Sequence, residues 1–194
     1  MALFEETGAY LHGHFRLTSG LHSSEYLQCA KVLANPAYAE RLGQELAEKI
    51  KTLLAGTIPQ VVVAPAIGGI VIGHEVARTF NARSLFTERD VNTNDMALRR
   101  GFEIKPGETV VVIEDVITTG GSTKEVVRVV EGQSGKVLAA GSIIDRSNGR
   151  ADVGVPRVAL QTLKAVAWQP EDCPLCKDGQ PVAKPGSRRT EPIS

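Results

Sequence analysis

Val110-Val-Val-Ile-Glu-Asp-Val-Ile-Thr-Thr-Gly-Gly-Ser-Thr123 is the stretch whose reading decides the fold. Four apolar residues run into two adjacent acids and then into a small turn rich in hydroxyls and glycine. An apolar run of this kind, with no polar alternation, predicts a strand buried on both faces of a parallel sheet. Glu114 and Asp115 fall where that strand is expected to end, which in an open α/β sheet is the edge that holds the ligand. Thr118-Thr-Gly-Gly-Ser122 can turn tightly and present backbone N–H groups, because glycine tolerates unusual dihedrals and adds no side chain. Ser122 and Glu125 have the spacing of a capping box, which predicts a helix whose positive end faces the turn. Two carboxylates beside an anion cradle suit a ligand that carries both hydroxyls and a phosphate, such as a ribose 5-phosphate.

Outward from this stretch, strand and helix patterns alternate. Asn35 followed by Pro36 predicts a helix start, and Leu42, Leu46, Ile50 and Leu53 recur at helical spacing to give one apolar face. A strand is expected over 61–65, a helix over about 70–80, and a strand over 84–87. Strand 109–114, helix 124–131, strand 137–145 and a last strand over 157–163 follow. Such alternation predicts a parallel sheet covered on both faces. Residues 1–33 show no clean period, and the chain beyond Trp168 is proline-rich and polar.

The chain has 194 residues and a formal net charge of zero, with 22 basic and 22 acidic side chains, so no global basic field points to nucleic acid. No apolar run is long enough for a membrane span, and the first ten residues lack a signal-peptide pattern, so no membrane partner and a cytoplasmic location are expected. Three cysteines do not form a disulfide framework. Cys173-Pro-Leu-Cys176 has the spacing of half a zinc site, with no second pair nearby and none of the four histidines close in sequence. A reduced turn carrying two thiols is the favoured reading, and a zinc shared between subunits is the alternative.

Two other segments bear on function. Pro65-Ala-Ile-Gly-Gly69 is a second strand-to-helix turn able to offer backbone amides to an anion. Residues 89–105 are polar and weakly periodic, which suggests a lid or binding loop, with a solvated hairpin as the alternative. Arginines there could close over a diphosphate by bidentate contact. Two glycine turns and a basic loop fit a ligand with phosphate at both ends, such as 5-phosphoribosyl 1-diphosphate (PRPP). No P-loop and no dinucleotide-binding glycine fingerprint is present.

The pattern over 110–123 resembles the PRPP signature of type I phosphoribosyltransferases. The chain up to about Trp168 resembles the orotate phosphoribosyltransferases. That closer resemblance rests on Gly13-His-Phe-Arg-Leu-Thr-Ser-Gly20 followed by Ser24-Glu-Tyr26, on Pro65-Ala-Ile-Gly-Gly69, and on Asp145-Arg146 at the next strand end. The resemblance implies an α/β fold with a parallel-sheet core, helices on both faces and a small N-terminal hood. It implies one domain over 1–170, with the hood mainly 1–34 and the core about 35–168, followed by a partly loose extension over 171–194. The implied activity is transfer of 5-phosphoribosyl from PRPP to orotate, with Mg²⁺ as cofactor, usually by a homodimer.

The resemblance also implies site residues. Glu114 and Asp115 would hold the ribose hydroxyls, Asp115 also reaching the metal indirectly through PRPP or water. The signature residues Val116, Ile117, Thr118, Thr119, Gly120, Gly121 and Ser122 would bind PRPP, with the 5′-phosphate on 118–122. Ala66, Gly68, Gly69 and Arg89 would hold the diphosphate, with Arg99 and Arg100 supplying catalytic charge. Arg146 would meet the orotate carboxylate with Thr118 nearby, and Phe15 would stack on the base. The chain departs from relatives in two places: Thr18 stands where many carry lysine, and residues 89–100 contain neither lysine nor histidine. Alternatives are another base phosphoribosyltransferase, or a PRPP-binding regulator without turnover.

Overall fold

The computed structural model describes residues 1–17, 20–163 and 167–185. Thr18 and the Arg188-Arg189 pair lie outside them. By contact the chain divides into two units: the described residues of Met1–Val32 with Lys164–Ser194, and Leu33–Leu163.

In the smaller unit, helix α1 (Ala2–Glu6) leads into strands β1 (Tyr10–Arg16) and β2 (His22–Leu27). These pair antiparallel, with a bulge between His12 and Phe15, and Arg16 lies opposite His22. Helix α2 (Cys29–Leu33) ends this part of the chain and α3 (Pro36–Leu53) opens the larger unit.

The larger unit carries β3 (Val61–Pro65), α4 (Gly69–Phe80), β4 (Arg83–Arg89), β5 (Met96–Leu98), β6 (Thr109–Ile117), α5 (Gly121–Gly132), β7 (Lys136–Asp145) and β8 (Arg157–Thr162). The six-stranded sheet has the order β5-β4-β3-β6-β7-β8. All neighbours are parallel except β4 and β5. The chain returns to the smaller unit as β9 (Ala167–Trp168), which pairs with β2, then a 3₁₀ turn (Pro170–Asp172) and α6 (Pro174–Lys177). Among the described residues no helix is long and apolar enough to cross a membrane.

The elements form for legible reasons. Asn35 is the N-cap of α3, its side chain accepting from the Ala37 N–H at 3.0 Å, with Pro36 at the first helical position. Leu42, Leu46 and Ile50 are buried along its inner face. The β3 residues Val61, Val62 and Val63 are fully buried, as expected of a strand covered on both sides. On one face Val61, Val63, Val110 and Val112 pack with Val126, Val127 and Val130 of α5. On the other, Gly141 of β7 lets Leu46 and Ile50 of α3 approach closely, since a Cβ there would meet the Ile50 Cδ1 at 2.9 Å.

Two expectations need correction, and the segment after Arg89 takes the hairpin form held as its alternative. Strand β6 does not end at the acids but continues through Val116 and Ile117, because β7 stays paired alongside as far as Asp145. Ser122 and Glu125 form no capping box: α5 starts one residue before Ser122, its N-cap is Gly120 in a left-handed conformation, and no side chain caps it. Residues 89–98 form a hairpin with β4, pairing Arg89 with Met96 and Thr87 with Leu98. The polar turn residues Asp90 to Asp95 provide that reversal, Asp90 Oδ1 accepting from the Asn92 and Thr93 N–H groups.

Helices α3 and α4 cross where a Cβ on Gly43 would lie 2.5 Å from the Glu75 Cβ and 2.9 Å from its carbonyl carbon. Gly43→Ala must push the helices apart and should lower stability by roughly 1–3 kcal/mol. Gly132→Ala, with open space at the end of α5, should be neutral or stabilising by about 0.5 kcal/mol. Urea unfolding of both variants checks the pair.

Candidate active site

Strand order places β3 and β6 side by side although two strands separate them in sequence, and the chain leaves the two in opposite lateral directions. That is a topological switch point, where open α/β sheets form a crevice beyond the strand ends. Pairing between β3 and β6 runs from Val61 with Val110 to Val63 with Val112. Residues 113–117 of β6 therefore run beyond that pairing while β7 follows them to Asp145.

The alternation of side chains along β6 then separates the two acids. Glu114 shares a face with Val110 and Val112, which is the face covered by α5, and its carboxylate accepts a hydrogen bond from the Thr123 hydroxyl in the first turn of that helix. Asp115 points to the opposite face, where α4 begins. A Cβ on Gly68 would lie 2.7 Å from both Asp115 carboxylate oxygens, so this carboxylate rests directly on the 66–69 turn. Asp115 Oδ1 also accepts from the Val116 N–H at 2.9 Å. The Ala66–Ile67 peptide bond is cis, and the Ala66 N–H donates to the Thr87 carbonyl at 2.8 Å.

Burial pushes the Glu114 carboxyl up from 4.5 to about 7; the Thr123 bond lowers it, and the neighbouring Asp115 and Glu125 add to the rise. Burial likewise raises Asp115, against backbone hydrogen bonds that lower it. Two adjacent, partly desolvated carboxylates beside a sheet edge are the kind of perturbed pair that marks a candidate functional site. Oxygen donors of this kind suit a hard divalent ion.

The turn after β6 supplies the opposite polarity. Thr118 and Thr119 are exposed, Gly120 is left-handed at φ 83°, and α5 opens at Gly121 with its N–H groups facing the turn. A Cβ on Gly120 would meet Val153 at 2.8 Å and Ala151 at 3.3 Å, so the turn is held close against the loop after β7. That loop is organised by Asp145, which is buried and accepts from the Ser147 hydroxyl at 2.6 Å, the Ser147 N–H at 2.7 Å and Arg157 at 2.6 Å. Burial would raise its pKa, but the Ser147 and Arg157 bonds outweigh this and hold it below the usual carboxylate range. Arg146 follows directly, its backbone N–H bound to the Ile117 carbonyl at 2.8 Å. One sheet edge thus brings together Glu114, Asp115, the 66–69 and 118–122 turns, and Arg146.

The hairpin arginines are engaged elsewhere. Arg89 donates to Glu125 at 2.6 Å and to the Asn94 carbonyl at 2.9 Å. Arg99 pairs with Asp90 at 3.4 Å. Arg100 forms a bidentate pair with Glu88 at 2.7 and 2.8 Å and stacks over Phe86, 5.6 Å from its centroid. Phe15 belongs to the smaller unit, where it is buried with its ring 5.9 Å from that of Tyr26.

Sequence reading missed one grouping. His14, His22, Cys173 and Cys176 converge within the smaller unit, their ligand atoms within 4.8 Å of one another. The Cys-x-x-Cys spacing was the available signal, but the histidines lie about 150 residues away and are brought in only by strand pairing.

Fold and site define an α/β protein of the switch-point class, with a carboxylate pair flanked by two glycine-rich strand-to-helix turns. The phosphoribosyl transferase domain model matches residues 29–175. The chain is 53% identical to a protein named orotate phosphoribosyltransferase from Pelotomaculum thermopropionicum over 97% of its own length and 96% of that relative. It is 50% identical to one so named from Thermotoga maritima, over 96% of each. The crystal structure of orotate phosphoribosyltransferase from Aeropyrum pernix superposes with a TM-score of 0.66 at 25% identity, covering 84% of this chain and 93% of that one. An adenine phosphoribosyltransferase structure shares the fold, with a TM-score of 0.64 at 17% identity. The chain belongs to the phosphoribosyltransferase family, in its orotate phosphoribosyltransferase branch.

Because Glu114 ionises at higher pH in the folded than in the unfolded chain, the folded state holds the extra proton between about 4.5 and about 7. Stability therefore falls as pH rises through that window, by at most about 3 kcal/mol. Glu114→Gln should flatten this slope in melting curves recorded from pH 4.5 to 7.5. An unchanged slope would show that the carboxylate is not desolvated.

Proposed function

We propose that the chain transfers the 5-phosphoribosyl group from PRPP to orotate, giving orotidine 5′-monophosphate and diphosphate, a step of pyrimidine nucleotide synthesis in the cytoplasm. The observation that carries this reading is full-length similarity at about half identity to proteins named for that activity. The site supports it in kind, with two carboxylates between two turns whose backbone N–H groups carry the opposite polarity.

In this proposal the bond from C1′ to the diphosphate oxygen breaks as the bond to the orotate nitrogen forms, the diphosphate leaving with the electron pair. Glu114 and Asp115 accept hydrogen bonds from the ribose hydroxyls and fix the sugar as positive charge develops on its ring. Backbone N–H groups of 118–122 hold the 5′-phosphate at the start of α5. The 66–69 turn holds the diphosphate beside Asp115. Asp115 would reach a Mg²⁺ ion indirectly, through PRPP or water, and the ion would supply neutralisation of the diphosphate charge. Arg146 meets the orotate carboxylate, with Thr118 beside it. Arg89, Arg99 and Arg100 would exchange a protein carboxylate for a phosphate oxygen, a like-for-like trade for a guanidinium. A homodimer is part of the same proposal and is checked by light scattering.

The test is the ultraviolet absorbance of orotate mixed with the protein, PRPP and Mg²⁺. A loss of the orotate band that requires both PRPP and the metal is expected, and an unchanged band would overturn the assignment. Arg146→Ala should raise the KM for orotate ~10–100-fold, the loss of one charge-assisted contact, with little change in the KM for PRPP. Replacing both acids, Glu114→Gln with Asp115→Asn, should cut turnover at least about 100-fold while circular dichroism stays native.

A further inference from the structure

We propose that His14, His22, Cys173 and Cys176 form a structural zinc site built within one chain. Four side chains of the ligand types zinc prefers converge here. His14 Nε2 lies 3.5 Å from the Cys173 sulfur and 3.6 Å from the Cys176 sulfur, and His22 Nδ1 lies 3.2 Å from the Cys176 sulfur. A tetrahedron with Zn–S of about 2.3 Å and Zn–N of about 2.05 Å has N···S edges of about 3.6 Å. The His14 Nε2 to His22 Nδ1 separation is 2.8 Å. The matching edge is about 3.3 Å, so metal entry asks the two rings to part by roughly 0.5 Å.

The surroundings are built for coordination. His14 Nδ1 lies 2.8 Å from the Gln180 carbonyl, which can only accept, so the Nδ1–H donates to it. That bond leaves the Nε2 lone pair facing the cluster, the arrangement by which metal-bound histidines are oriented from behind. His14, His22 and Cys173 are buried and Cys176 is at the surface, so the cluster has a side from which an ion can enter.

The placement follows from the local fold. His14 lies in the β1 bulge two residues before Arg16, which stands opposite His22 on β2, and this brings the two imidazoles together at 2.8 Å. Cys173 and Cys176 flank the start of α6. The C-terminal segment is tied to the same strand, the Ala183 N–H donating to the His14 carbonyl at 2.8 Å and the Arg16 N–H to the Ala183 carbonyl at 2.8 Å. A zinc here joins β1, β2 and α6. It is far in kind from the oxygen-rich Glu114 and Asp115 site, since thiolate and imidazole favour zinc over magnesium. Two of the four ligands also precede residue 29, where the phosphoribosyl transferase domain match begins. The site therefore stands or falls apart from the proposed reaction.

The test is the metal content of the purified full-length chain by mass spectrometry, with a Co²⁺ titration of protein stripped by a thiol reagent and chelator and then reduced. Expected are about one zinc per chain and, with Co²⁺, thiolate charge-transfer absorption together with intense tetrahedral ligand-field bands. Cys173→Ser with Cys176→Ser should abolish both signals, whereas Cys29→Ser, which removes the buried thiol outside the cluster, should keep them. Zinc well below one tenth per chain with no cobalt spectrum in the wild-type protein would overturn the proposal. So would full zinc retention by the double cysteine variant.

Discussion

Past Val112, strand β6 leaves the register of β3 while β7 remains hydrogen-bonded beside it. Everything distinctive about the larger unit depends on that divergence. Each of these two strands must return to the sheet through a helix, and the two helices start on opposite faces. A crevice therefore opens at one edge, with a helix start on each side of it. The strand's two-residue period then divides the adjacent acids between those faces, Glu114 to Thr123 and Asp115 to Gly68. Two neighbours in sequence end up serving two different turns.

The charge arrangement at this edge is uneven. Glu114 and Asp115 are both raised by burial, against the hydrogen bonds that the Thr123 hydroxyl and the Val116 N–H donate to them. The hairpin arginines are the reverse: Arg89, Arg99 and Arg100 each face a carboxylate already. Their charge is balanced within the chain, and an anionic ligand would compete with Glu125, Asp90 and Glu88 for it. Such exposed pairs are individually weak, so the exchange is not costly.

The smaller unit faces a different physical problem. Its sheet has three strands, one of them the two-residue β9. A unit of that size buries little apolar surface, and small scaffolds gain stability from cross-links rather than from a core. The zinc proposed on His14, His22, Cys173 and Cys176 would answer that need.

Much of the architecture was legible in the residues themselves. Asn35 with Pro36 marked α3, the valines of 61–63 and 110–112 marked buried strands, and the Thr-Thr-Gly-Gly-Ser turn marked the strand-to-helix junction of the site. Those signals are local, because capping, propensity and periodicity act over a few residues. Less was legible where a partner strand or side chain decides. Glu114 and Asp115 look like a strand end in sequence, yet pairing with β7 carries the strand on to Ile117. Ser122 and Glu125 match a cap, but the left-handed Gly120 begins the helix earlier and Glu125 is taken by Arg89. The opposite aim of the two acids, the close crossing at Gly43 and the meeting of His14 and His22 with Cys173 and Cys176 were decided by tertiary structure. Each depends on bringing together groups far apart along the chain, and no local preference encodes that distance.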